Sequence, residues 1–187
     1  RVTRAIASYM QPRLASMGHL AARYSVACDE DRAARLAGEL GVSTLSLHRL
    51  ALGWTGSSYA LPMRDSAGKV IGIQLRRPDG AKCCVKGSRL GIFAPIDLSE
   101  TGLLLICEGA SDCAALLDLG FSAVGRPSCT GGVRLVCEVA KGRDAVIVAD
   151  SDPPGLRGAV GLAAKLRLYC PSVRIITPPD RTKDARS

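Results

Sequence analysis

Two short acidic motifs carry the chemistry that this sequence can do. Glu108-Gly109 directly follows the apolar run 103–107, and Asp150-Ser151-Asp152 directly follows the apolar run 145–149. Both runs read as buried strands, so each motif sits at the carboxyl end of a strand. In a parallel sheet such ends can lie side by side, which would converge three carboxylates. Carboxylates held close repel one another unless a cation neutralises them. A hard divalent ion that keeps some waters and meets phosphate oxygens fits that need, so Mg2+ or Mn2+ is expected. An Asp-x-Asp pair also suits two ions. Glu108, Asp150 and Asp152 are therefore the candidate catalytic and metal-binding residues. Asp112, on the first turn after Glu108, is a further candidate ligand. The structural alternative is that these are ordinary loop carboxylates capping the helices that follow. Gly109 would let backbone approach a ligand, and Gly155 would let the chain turn into the next helix.

The elements that must position these motifs alternate along 102–178. Strands are expected at 103–107, from 123–124, at 145–149 and at 173–177. Helices are expected at 112–119, 131–140 and 158–169. That alternation predicts an α/β fold, with a mostly parallel sheet flanked by helices and binding groups at the carboxyl ends of its strands. Residues 53–98 read differently. Strands at 59–64, 70–75 and 81–85, joined by turns at 66–69 and 78–80, form an antiparallel meander. Residues 1–50 read as helical, with helices at 29–40 and 43–52 separated by Gly41. That pair is similar to a helix-turn-helix, a weak signal shared by many helical subdomains.

Charge is uneven. The chain of 187 residues has 25 basic and 17 acidic residues, a net charge of +8, which favours a polyanionic partner. Seven basic residues against two acidic ones fall between Arg64 and Arg89. Much of the excess therefore sits in the meander, which reads either as a phosphate-tracking surface or as a solvated face. Aromatics make up 4% of the chain, which argues against a reader built on base stacking. The eight cysteines include no CxxC pair, so a zinc ribbon is not expected. They read as reduced core residues of a cytoplasmic protein. No run of about 18 apolar residues occurs, so no membrane span is expected. The start at Arg1 without Met, and the abrupt end, suggest a fragment of a longer chain. His19 and His48 read as surface or packing residues, and Trp54 and Tyr59 as core of the meander.

Glu108-Gly109-Ala110-Ser111-Asp112 and Asp150-Ser151-Asp152-Pro153-Pro154-Gly155, each after an apolar strand, resemble the two motifs of the Toprim (topoisomerase–primase) domain. The stretch Leu61-Pro62-Met63-Arg64-Asp65, the turn through Gly68 and the return to Arg76 resemble the region upstream of Toprim in DnaG-like bacterial and phage primases. Lys82 stands where those primases carry a lysine. Thr182-Lys183-Asp184 is similar to the motif that follows their last strand. The matches cover roughly 53–184.

The resemblance implies a DNA primase catalytic core that makes short primers on a single-stranded DNA template from nucleoside triphosphates. A replicative helicase, or a helicase domain outside this stretch, would be its partner. Asp150 and Asp152 would hold ions for the triphosphate, and Glu108 would act near the attacking hydroxyl. Arg64, Arg76, Arg77, Lys82 and Lys86 would bind template or triphosphate, and Lys183 and Asp184 would edge the pocket. A basic helical and small-sheet subdomain over 1–98 would precede a Toprim domain over 99–187. Two departures stand out: Cys83-Cys84 in place of an aromatic after the lysine, and Pro153-Pro154 in place of basic and small residues. A Toprim nuclease and a non-catalytic nucleic-acid binding module remain as alternatives.

Overall fold

The computed structural model describes residues 16–177. The helical reading of 1–15 and the candidate residues Lys183 and Asp184 lie outside the described residues.

Three helices open the described chain: α1 (Met17–Val26), α2 (Glu30–Leu40) and α3 (Thr44–Arg49). Local chemistry fixes their ends. Asp29 caps α2 by accepting from the Arg32 amide, Gly41 ends α2 in the left-handed conformation, and Ser43 caps α3. Leu36, Ala37, Leu40 and Leu47 turn inward to the main core. The pair α2–α3 is thus committed to packing on its apolar side. Asp118 accepts from the Ser43 amide and hydroxyl, tying α3 to a later helix.

The meander is present as expected, with one extra strand. Strands β1 (Gly53–Trp54), β2 (Tyr59–Arg64), β3 (Val70–Arg76) and β4 (Lys82–Cys84) pair antiparallel in sequence order. Tyr59 is 4% exposed and meets Trp54 edge-on at 5.0 Å. Arg32 lies 5.4 Å from the Trp54 ring. Both aromatics are therefore occupied within the fold.

Strand and helix then alternate: β5 (Leu104–Glu108), α4 (Gly109–Asp118), β6 (Ala123–Arg126), α5 (Val133–Ala140), β7 (Ala145–Val148), α6 (Pro153–Leu166) and β8 (Val173–Ile176). These four strands form a second sheet, all parallel, in the order β6-β5-β7-β8. One face packs α4 and the N-terminal helices, and the other packs α5 and α6. This double coverage buries 104–107 of the expected run 103–107, whereas Leu103 precedes the strand and is exposed. Phe93 bridges Gly125 and Ile92 bridges Arg64, which joins the meander to the β6 edge. Leu61, Met63 and Phe93 share one cluster with Leu105 and Cys107.

Three helix starts differ from expectation: α4 begins at Gly109, three residues before the expected 112, directly after β5, and two others differ for one reason each. Helix α6 begins five residues earlier than the expected 158, because Asp152 caps it and prolines are tolerated at its first positions. Gly155 is thus a helical residue, and its role is close approach, not a turn. Helix α5 begins at Val133 because Gly132, at φ 70°, is left-handed. All eight cysteines are free, but Cys83 and Cys84 are exposed, not core. They fall on β4, which no apolar layer covers. No helix among the described residues is long and apolar enough to cross a membrane.

Candidate active site

The connection after β5 runs to β6, whereas the connection after β7 runs the other way, to β8. The chain reverses direction between β5 and β7, which is where open parallel sheets bind ligands, just beyond the carboxyl ends of the strands. Register places the two acidic motifs there. Ile106 pairs with Ile147, so Glu108 ends β5 level with Ala149 and Asp150 follows one residue on.

Glu108 and Asp150 line one narrow cleft, about 10 Å3 in free volume, together with Arg126 and Cys129. Burial raises the Glu108 carboxyl above the ordinary range, and the Asp150 charge raises it further. Arg126 and a backbone hydrogen bond from Cys129 pull it back, and Asp152 adds a weaker upward push. The charges of all three predicted carboxylates therefore meet at Glu108. Gly109 follows at φ 87°, a left-handed turn that sends the chain from strand into α4. A side chain at Gly125 would lie 2.1 Å from the Gly109 carbonyl, so that turn needs a glycine beside it.

The remaining candidates are placed unevenly. Asp152 Oδ1 accepts from the Gly155 amide at 2.8 Å, so this residue caps α6 as the structural alternative expected. A side chain at Gly155 would come within 2.8 Å of the Asp150 Cβ, so the glycine seats Asp150 on the helix. Asp112 is 6% exposed in the first turn of α4. Arg64 does not join the cleft. It donates to the Gly68 carbonyl at 2.9 Å and lines a separate cavity of about 470 Å3 with Glu138 and Lys141. Arg76 pairs with Lys82 across β3 and β4, and Arg77 follows, at the end of the meander opposite Arg64. Lys86 lies exposed just beyond β4.

Arg126 was not foreseen. It ends β6 directly beside Glu108 in register, is 4% exposed, and donates to the carbonyls of Gly131 and Cys129. No local sequence signal marked it, because the acid beside it is brought there only by the register of β5 with β6.

The donor set fits a hard divalent ion: carboxylate oxygens that repel one another at the mouth of a sheet. Among the described residues, no group of three His, Cys, Asp or Glu side chains forms a ready metal cage. The fit is of one or two carboxylates, with water and phosphate oxygens completing the shell, the mode usual for Mg2+.

No protein-family model matches the sequence, and no curated protein matches it. Solved structures do. A DnaG catalytic core superposes with a TM-score of 0.70 at 18% identity, covering 91% of this chain and 73% of that one. The chain has the fold of a primase catalytic core. A DnaG primase catalytic domain bound to single-stranded DNA matches at 0.68 and 18%, covering 89% and 71%. The primase fragment of the bacteriophage T7 primase-helicase matches at 0.66 and 17%, covering 80% of this chain and 66% of that one. The chain thus spans just under two-thirds of the T7 fragment.

Proposed function

We propose that this chain is the catalytic core of a DNA primase, joining nucleotides into short primers on a single-stranded DNA template. The observation that carries the reading is the meeting of Glu108 and Asp150 at the sheet's point of reversal, in a fold shared with primase cores. The acids would sit where a phosphate is handled, and the basic meander would offer a surface to a polyanion. That one structural neighbour is bound to single-stranded DNA supports a template of that kind. That another belongs to a primase-helicase supports a helicase partner.

Glu108, Asp150 and Asp152 would hold Mg2+ or Mn2+, Asp152 while also capping α6. The ion would supply charge neutralisation on the triphosphate and lower the proton affinity of the attacking hydroxyl. The protein's own part is positioning and electrostatics. Arg126 and the Cys129 amide hold the Glu108 carboxylate in place, and the left-handed turn at Gly109 would let backbone approach the substrate. Arg76, Arg77, Lys82 and Lys86 would bind template or triphosphate. In this reading residues 1–98 form the basic helical and small-sheet subdomain and 99–187 the catalytic Toprim domain.

The test is primer synthesis on single-stranded DNA, with Mg2+ or Mn2+ and labelled nucleotides, comparing wild type with Asp150→Asn. Short labelled products from wild type alone are expected, with DNA binding retained in the variant. Metal-dependent strand cleavage in place of synthesis would assign a nuclease instead. DNA binding with neither activity would overturn the enzymatic reading.

A further inference from the structure

A groove between α5 and α6 starts at the acidic cleft and leads away from it. Its upper part, about 370 Å3, shares Arg126 and Cys129 with the cleft. Its lower part, about 690 Å3, continues from the upper through Val133 and Lys165. Arg157 and Lys165 line it from α6, and Arg134 and Lys141 line it from α5 and just beyond. Among the described residues the only acid on its walls is Glu138, which is already engaged by Arg134 and by the Ser66 hydroxyl. At the far end stands Tyr169, 48% exposed in a chain poor in aromatics. The floor is kept low by glycine: at Gly161 a side chain would meet nothing within 4 Å.

We propose that this groove carries the uncopied single-stranded DNA template to or from the acidic cleft, with the phosphates on Arg157 and Lys165 and a base against Tyr169. The proposal rests on the reading of the cleft as the site of template-directed synthesis. Charge complementarity selects the occupant: four exposed cations and one buried arginine face a single neutralised acid. Geometry selects the strandedness. Packed helices lie about 8–10 Å apart, axis to axis, so the groove between α5 and α6 admits one strand and not a duplex. The product of templated synthesis is paired with its template, so a single-strand groove holds template that is still unpaired. Helix α6 has 14 residues, about 21 Å at 1.5 Å per residue. A stacked strand at about 3.4 Å per nucleotide would lay roughly six nucleotides along it. Exposed Tyr169 would serve as a sequence-tolerant stacking platform.

The test is fluorescence anisotropy with a labelled oligo-deoxythymidine, measured over a salt series on the full chain. Three variants are compared with wild type: Arg157→Glu with Lys165→Glu, Gly161→Leu, and a control, Arg23→Glu with Arg35→Glu, which changes net charge equally on the exposed sides of α1 and α2. The groove double variant should bind roughly tenfold more weakly, and its salt slope should become shallower by about 1.4 units, the share of two phosphate contacts on a single strand. Gly161→Leu should weaken binding with no change in charge, and the control should stay near wild type. A hairpin duplex probe should be insensitive to Gly161→Leu. Equal losses in the groove variant and the control would reduce the effect to net charge and overturn the groove. Wild-type binding by both groove variants would do the same, while leaving primer synthesis by wild type, and hence the enzymatic reading, untouched.

Discussion

The same substitution three residues apart in α6 should move stability in opposite directions. Gly158 and Gly161 both lie inside the helix, where replacing glycine by alanine gains roughly 1 kcal/mol of backbone entropy. At Gly161 an added Cβ meets nothing within 4 Å, so the gain stands alone. For a chain of this size, about 1 kcal/mol corresponds to a rise in Tm of roughly 2–4 °C. At Gly158 the added Cβ would lie 2.4 Å from the Cys129 carbonyl oxygen and 3.1 Å from its carbonyl carbon and Cβ. That carbonyl is backbone, and the buried Arg126 guanidinium holds it, so it cannot swing aside as a side-chain tip would. Overpacking of this kind costs about 1–3 kcal/mol, which exceeds the helical gain. Gly158→Ala should therefore lower Tm by a few degrees while Gly161→Ala raises it, in thermal melts followed by circular dichroism. Any displacement of Cys129 also disturbs its backbone hydrogen bond to Glu108, so primer synthesis per folded molecule should fall in Gly158→Ala and persist in Gly161→Ala. Shifts of equal sign at the two positions would refute the contact of α6 with the 127–132 loop on which the site is built.

Asp152 separates capping from chemistry: Asp152→Ala should cost about 1 kcal/mol through loss of the cap, whereas Asp152→Asn should keep the cap and the Tm yet lose synthesis, and unchanged synthesis in the Asn variant would limit the residue to capping. Glu108 titrates above its unfolded value, first through burial and then through Asp150. The folded state thus binds more protons in the window above the usual carboxylate pKa, and stability falls as pH rises through it. Without divalent metal, Glu108→Gln should accordingly melt higher than wild type at neutral pH, with the advantage fading in acid; a pH-independent difference would contradict this electrostatic account. Adding Mg2+ or Mn2+ should raise the Tm of wild type and leave Asp150→Asn unmoved. Arg143 is 3% exposed and donates to the carbonyls of Ser99, Thr101, Gly102 and Leu103 and to the Ser122 hydroxyl. Arg143→Met should lower stability by about 3 kcal/mol in urea denaturation with activity per folded molecule preserved, since these bonds lie at the opposite end of the sheet from the cleft.

What the sequence showed and what it hid follow from how far each signal reaches along the chain. Glu108 and Asp150 were legible because each is joined covalently to an apolar run, and such runs mark strands buried on both faces. The direction of those strands followed from the intervening helices, so the meeting of the two acids could be anticipated without coordinates. Arg126 has no such signature. Its guanidinium is satisfied by the carbonyls of a loop that follows it, and its role beside Glu108 exists only through the register of β5 with β6. The start of α6 was hidden for the opposite reason, since a local signal was present but was read as a departure. Pro153-Pro154 stops a helix when it falls inside one, yet starts one when an Asp stands just before it. Once that start is moved to 153, Asp152 becomes a cap, Gly155 becomes the seat for Asp150 and Gly158 the seat for Cys129. The second acidic motif and the loop after β6 are then held by one helix. A basic ridge read from the meander alone could not contain this, because Arg126, whose charge acts on Glu108, and Arg157, which lines the adjoining groove, lie on elements 50 or more residues beyond Arg76 in the sequence. The polyanion surface of this fold is therefore to be sought on α6 as well as on the meander, and charge reversal at Arg157 against charge reversal at Arg76 is the comparison that weighs the two.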